Sequence, residues 1–338
     1  MKSRLLSAIF ITLWLCASAN AAQTLQLVTT EWESFTNQGA HSERLSDIVT
    51  AAMKRAGYDT VITTERPAFA GSGLNSGRFD GRIDYIDLES KRANFSYSQQ
   101  YLPLYLHLVS KTEDVEAVRS FAQIRGARVA IENRYAATPP LRLVRDIKWS
   151  RNPTTFESIS NVAEERSNYL LTDSLFFAEF NRLLIAENEE LLHRSNAAIF
   201  STGLHLSLNS AVPNAEQIIQ AFNTAIQGML KDGSMNELLG LPWIMASLEE
   251  GQGIALISSS KTPHITDELA SEPTKAMNIA YPWGAKSASV DSYFIDGKSF
   301  SQWADAVAYL KENGESVSLE ERDSYLDPSA YTRILRQW

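Results

Sequence analysis

A chain of 338 residues is too long for one ordinary core and suits two compact units or one large one. Hydrophobic residues at 44% exclude wholesale disorder, and a formal charge of -9 disfavours nucleic acid as a partner. The single cysteine excludes a disulfide framework and any multi-cysteine metal site. His41, His107, His193, His205 and His264 lie too far apart for a local metal motif, so no metal or cofactor is expected.

The chain opens as an export signal does. Lys2 and Arg4 precede an apolar run from Leu5 to Cys16, and Ala19-Asn20-Ala21 offers the small-x-small pattern that signal peptidase reads. The run is shorter than the roughly 20 apolar residues a membrane span needs. Leu15 before Cys16 argues against lipidation. Residues 1–21 are expected to be a signal peptide cleaved near Ala21 or Ala22, which leaves the mature protein in the periplasm.

Leu25 to Thr29 reads as a buried strand. A helix follows, with Ser42 as its cap, Leu45, Ile48, Val49, Ala52 and Met53 on one face, and Gly57 closing it. Val61-Ile62-Thr63 returns as a strand, and strand, helix, strand in this order implies a right-handed parallel unit. Ile83 to Leu88 and Tyr101 to Ser110 read as further strands.

A second α/β set begins near Lys111. It holds the strand Arg128 to Ile131 and a helix over Leu175 to Leu184, and leads through Leu204 to Leu208 into a helix carrying Ile218, Ile219, Phe222, Ile226, Met229 and Leu230. Extended crossings are expected near His107 to Lys111 and Gly203 to Ser207. Ligands in open α/β sheets sit beyond the carboxyl ends of the strands, so the site is expected between the lobes. After Trp243 the pattern changes: Gly251, Gly253, Ser258-Ser259-Ser260 and Pro263 suggest a linker, and Ser301 a cap for a short helix ending at Gly314. The piece beyond Ala246 is therefore expected to be dispensable for ligand capture.

Gly77-Arg-Phe-Asp80, then Glu89-Ser-Lys-Arg92, then Tyr97-Ser98-Gln99-Gln100-Tyr101 resembles the signature of the bacterial extracellular solute-binding proteins of the polar amino acid type, family 3. Thr29 to Phe35 is similar to that family's first loop, Phe121 to Ile131 to its entry into the second lobe, and Phe222 to Gly233 to its closing helix. The resemblance spans about residues 24 to 243. It implies an α/β, two-lobed periplasmic binding protein of type II with two hinge crossings, followed here by a C-terminal extension. The implied divisions are 22–110 with 204–245 for lobe 1, 111–203 for lobe 2, and 246–338 for an extension of unknown role. The chain departs from the family pattern at Glu89, Asp87, Gln100 and Asn133 to Ala136.

By this resemblance Arg92 would hold a ligand's α-carboxylate, as a guanidinium fork matches a carboxylate bidentately. The alternative is an arginine in a solvated turn. Asp173, at a strand end before a helix, would hold the ligand's ammonium group, although aspartate is also a preferred N-cap there. Glu89 sits where relatives contact ligand, and its extra carboxylate favours ligands with added positive charge; Asp87 is its neighbour on the same strand approach. Trp32 and Tyr101 would wall the cleft, or pack a core. Arg134 and Tyr135 would lie at the start of a lobe-two helix, a natural anion site. The resemblance implies capture of a small zwitterionic, amino-acid-like solute for an ABC permease or a membrane sensor. Two other readings stay open: a dehydratase-like enzyme with Glu89 or Asp173 as acid or base, and a ligand-free envelope protein whose extension binds a partner.

Overall fold

The computed structural model describes residues 24–33, 35, 43–248, 253–284, 289–318, 321 and 323–338. The expected signal peptide and the expected Ser42 cap lie outside them. Among the described residues no helix is long and apolar enough to cross a membrane.

The chain runs β1 (Thr24–Thr30), α1 (Arg44–Arg55), β2 (Asp59–Glu65), α2 (Pro67–Ser76), β3 (Gly81–Ile86), β4 (Phe95–Tyr97) and β5 (Leu102–Ser110). α1 buries the expected face of Leu45, Ile48, Val49, Ala52 and Met53, and the chain turns after it at Gly57, whose φ of 86° a side chain would strain. β1 pairs in parallel with both β2 and β3, which is the expected crossover unit.

Next come β6 (Arg128–Glu132), α3 (Asn133–Ala136), α4 (Pro139–Arg142), β7 (Lys148–Asn152), α5 (Thr155–Ala163), β8 (Tyr169–Asp173), α6 (Ser174–Ala186), β9 (His193–Arg194), β10 (Phe200–Asn209), α7 (Ala215–Lys231) and α8 (Ser234–Leu239). The sheet order is β2-β1-β3-β10-β5-β8-β6-β7. β5 and β10 are antiparallel neighbours at its centre; β10 continues against β3 of one lobe and β5 against β8 of the other. These are the two hinge crossings. Every residue of β5 is buried, so the crossing is part of the core rather than an exposed linker. The parallel strands β1, β6 and β8 end at Thr30, Glu132 and Asp173, and Asp84 lies near the end of β3. That arrangement brings polar side chains to the carboxyl ends of the strands in both lobes.

The segment after Trp243 corrects the sequence reading. It forms β11 (Ile244–Ser247), β12 (Ile254–Ser258), β13 (His264–Ile265), α9 (Thr274–Ile279), β14 (Tyr281–Trp283), β15 (Ser292–Ile295), β16 (Lys298–Phe300), α10 (Trp303–Asn313), β17 (Ser316–Val317) and α11 (Pro328–Leu335). The expected linker is instead the middle of a five-stranded sheet, β14-β11-β12-β15-β16. Ser258 and Ser259 are fully buried there because their hydroxyls find partners: Ser258 meets His264 Nε2 at 3.1 Å, and Ser259 donates to Glu237 and Asp296. α10 buries Trp303, Ala306, Val307 and Leu310 as expected, but its N-cap is Gln302 rather than Ser301.

This segment is joined to both parts of the main sheet. Tyr281 Oη donates to Pro103 O at 2.5 Å and Tyr105 Oη to Pro282 O at 2.7 Å, so β14 is bonded to the hinge strand β5. α11 then returns to lobe 2, where Leu326, Tyr331, Ile334 and Leu335 share one core with Ile159, Phe176, Phe180 and Leu183. Each such side chain removed from water contributes roughly 1.5–3 kcal/mol. The extension closes lobe 2 rather than trailing from it.

Candidate ligand cleft between the lobes

In lobe 1 the charge centre is Asp84, which is fully buried. Its Oδ2 accepts from the Thr30 amide at 3.0 Å and the Thr30 hydroxyl at 2.6 Å. Its Oδ1 accepts from Arg82 Nε at 2.5 Å, while Arg82 Nη1 reaches Glu89 at 3.0 Å. Burial alone would push the Asp84 carboxyl up, but Arg82, the Thr30 hydroxyl and Arg134 across the cleft together hold it below its ordinary range. Burial also works against charge on Arg82, and Asp84 and Glu89 overcome it and raise its pKa. Each member of this cluster has a partner.

Lobe 2 faces it with a different balance. Glu132, at the end of β6, is buried, and it accepts from Arg134 Nε at 2.8 Å. Burial raises its carboxyl to about 8; Arg134 works against the rise, and Glu33 and Asp173 add to it. Asp173 is the N-cap of α6, accepting from the Leu175 and Phe176 amides at 3.1 and 2.9 Å, and burial pushes its carboxyl up in spite of those bonds. Glu33, from the loop after β1, crosses to lobe 2 and takes the amides of Thr155 and Phe156 at 3.3 and 3.2 Å. A carboxylate at the start of α5 is where exposed N–H groups and the helix dipole favour an anion.

The structure brings four of the expected residues to this cleft and puts the others elsewhere. Trp32, fully buried, packs edge-on to Tyr135 at 6.0 Å, and the Arg134 guanidinium lies over the Trp32 ring at 4.0 Å. Arg134 Nη2 also donates to Glu31 O at 2.6 Å, which ties lobe 2 to the lobe-one loop. Arg134, Tyr135 and Asp173 come from lobe 2, and Trp32 meets them from the lobe-one loop. Glu89 is spent on Arg82. Asp87 sits at the hinge, accepting from the Thr202 hydroxyl and the Gly203 amide beside His205. Tyr101 is lobe-one core, donating to Ile83 O at 2.6 Å and packing on Phe222.

Arg92 is exposed, and its Nη1 donates to Asn75 Oδ1 at 2.9 Å. α2 starts just after the carboxyl end of β2 and runs back toward the start of β3, so Asn75 near its end lies away from the strand ends that line the cleft. The guanidinium that does lie between the lobes is that of Arg134.

Sequence reasoning missed Glu33, Glu132 and a further ion pair. Arg44 of α1 donates to Glu179 of α6 at 2.6 Å with both side chains buried. Arg182, Ser324 and the Tyr325 amide also bond Glu179, and the Arg44 guanidinium stacks on Tyr325 at 3.6 Å. Lobe 1, lobe 2 and the extension meet at this point. No local signal marks it, since Glu179 lies 135 residues after Arg44 and 146 before Tyr325. Among the described residues, no group of three or more His, Cys, Asp or Glu is placed to hold a metal ion.

Two lobes on one sheet, crossed twice at β5 and β10, with charged side chains at the strand ends between them, define a two-lobed periplasmic binding-protein fold of type II. Solved structures share it. The GluR0 ligand-binding core in complex with L-glutamate superposes with a TM-score of 0.53 at 14% identity, covering 65% of this chain and 97% of that one. A mutant of ArgBP from T. maritima gives 0.51 at 15%, covering 64% and 93%. An amino acid ABC transporter substrate-binding protein from Streptococcus pneumoniae, bound to L-arginine, gives 0.50 at 14%, covering 64% and 92%. At these identities the likeness is one of fold. No family profile matches the sequence, and no curated protein matches it.

Proposed function

We propose that this is a periplasmic solute-binding protein, exported by its first 21 or 22 residues, that takes a small amino-acid-like solute between its lobes for an ABC permease or a membrane sensor. The observation that carries the reading is the convergence of Asp84 with Thr30 from one lobe and Glu132, Arg134 and Asp173 from the other on the strand ends. Fold neighbours titled as ligand-binding and substrate-binding proteins support it. Four carboxyl groups (Glu33, Asp84, Glu132, Asp173) stand against two guanidinium groups (Arg82, Arg134), so the cleft suits a solute with an added positive charge. Arg134 would meet the solute's carboxylate; for Arg92 to do so, it must leave Asn75.

The test is a thermal-shift panel of neutral, acidic and basic amino acids, followed by calorimetry. A ligand at about 100 times its dissociation constant adds roughly 2.7 kcal/mol to native stability. Recovery of the ligand unchanged after denaturation separates binding from catalysis. A panel without a single shift refutes the reading. One observation favours a second reading: the buried Arg44–Glu179 pair and the Tyr325 stack hold the lobes together. A protein so tied would serve as a closed envelope interaction module, and it would show no change in radius of gyration with any solute.

A further inference from the structure

Two phenol hydroxyls between the lobes have no hydrogen-bond partner although their rings are almost completely buried: Tyr135 of α3, at 1% exposure, and Tyr331 of α11, at 2%. A buried hydroxyl left unpaired is costly, so each of the two calls for an explanation. The charged groups acting on the Tyr331 phenol are Glu33 and Glu132; those acting on Tyr135 are Asp173, Glu132 and Arg134. Glu132 therefore acts on both orphan hydroxyls, with Asp173 added at Tyr135 and Glu33 at Tyr331, whose ring packs on Phe156, the residue whose amide donates to Glu33. Glu33, Glu132 and Asp173 come from the lobe-one loop, from β6 and from β8, and among the described residues the cation bonded to them is Arg134, on Glu132. They are not set for a metal ion. A larger cation that donates several hydrogen bonds fits such a spread of oxygens.

We propose that Glu33, Glu132 and Asp173, with the hydroxyls of Tyr135 and Tyr331, form a subsite for an alkyl-ammonium group, and that the C-terminal extension completes it by supplying Tyr331. This rests on the solute-binding reading and specifies its ligand class. An ammonium ion gives three N–H donors, which the carboxylates and the phenol oxygens accept. No covalent step is involved. Because Glu132 is held protonated near neutral pH by burial, Glu33 and Asp173, an arriving cation displaces that proton to solvent. Arg134 faces Glu132 from α3 and Tyr331 from α11, and both remain in place during the exchange. Uptake of one cation with release of close to one proton leaves the charge of the buried site nearly unchanged, which limits the desolvation cost.

The experiment is titration calorimetry on the full mature chain at pH 7.5, in phosphate and in Tris, with putrescine, L-lysine and L-leucine as probes. The buffers differ in ionisation enthalpy, so the difference in heat counts protons. A free diamine and an amino-acid side chain both carry the ammonium group; the first two probes distinguish which carrier the cleft takes. The expected result is that putrescine or L-lysine binds at least tenfold tighter than L-leucine and releases close to one proton. Glu132→Gln should abolish the proton release and weaken the cationic probe at least tenfold. Tyr331→Phe, which keeps the packing, should weaken it about threefold to tenfold with proton release retained. L-Leucine binding as tightly as L-lysine, with no proton released and Glu132→Gln without effect, overturns the subsite and leaves solute binding standing. Failure of all three probes overturns the subsite and counts against the solute reading as well.

Discussion

Asp84 lies near the carboxyl end of β3, the inner parallel strand of lobe 1, and Glu132 ends β6, the middle parallel strand of lobe 2; both are buried. Their chemistry is opposite. Burial acts on both, but Arg82 and Thr30 bond Asp84 directly and hold it below its ordinary range, whereas burial raises Glu132 to about 8, with one arginine opposing the rise and two further carboxylates adding to it. Burial is therefore not what separates them; the number and sign of the partners is. A saturated cluster such as that of Asp84 serves the fold of its lobe. An unsaturated one such as that of Glu132 is strained until something positive or a proton arrives.

The largest break in this comparison is Asp84→Ala. It strips Arg82 of its closest partner and removes the carboxylate that accepts from the Thr30 amide and hydroxyl, and removing one member of a buried pair costs about 3–5 kcal/mol. Chemical denaturation should show a fall in midpoint of that size. Loss of under about 1 kcal/mol would mean that Glu89 alone satisfies Arg82.

Glu132→Gln should act in the opposite sense and only at higher pH. The native state keeps a proton on Glu132 between its ordinary value of 4.5 and about 8, where the unfolded chain has lost it. Stability contributed through this group therefore falls as pH rises across that window, by at most roughly 5 kcal/mol. For Asp84 the direction reverses: its depressed value adds stability that is present at neutral pH and lost as pH drops through its folded value. Melting curves from pH 5 to 9 should show the wild type declining and the glutamine variant flatter. Parallel curves would contradict the perturbation. Arg92→Ala is the smallest: the side chain is exposed and bonded only to Asn75 and the Phe95 face, so folding should change by no more than about 0.5 kcal/mol. A large loss of ligand affinity in that variant would show that Arg92 swings into the cleft on binding.

The periodic elements were legible. α1 and α7 show their buried faces in the spacing of leucine, isoleucine and phenylalanine, and β5 is a continuous apolar run. Asp173 was legible as both a strand end and a cap, and the structure shows it ending β8 and capping α6. β12 was not, because small polar residues read as a linker until their buried partners, His264, Glu237 and Asp296, are known. Glu33 and Tyr331 were invisible for a different reason. They meet across nearly the whole chain, one at the start of lobe 1 and one in the last helix, and no local pattern encodes such a meeting.

The contrast between the two acids can be measured directly by carbon-13 NMR of the glutamate carboxyl groups over pH 4 to 10, with Glu132 assigned by its absence in Glu132→Gln. The expected titration midpoint for Glu132 is about 8 in the free protein, falling when putrescine or L-lysine is bound. A midpoint near its ordinary 4.5, unmoved by either cation, would contradict both the perturbed acid and the subsite built on it.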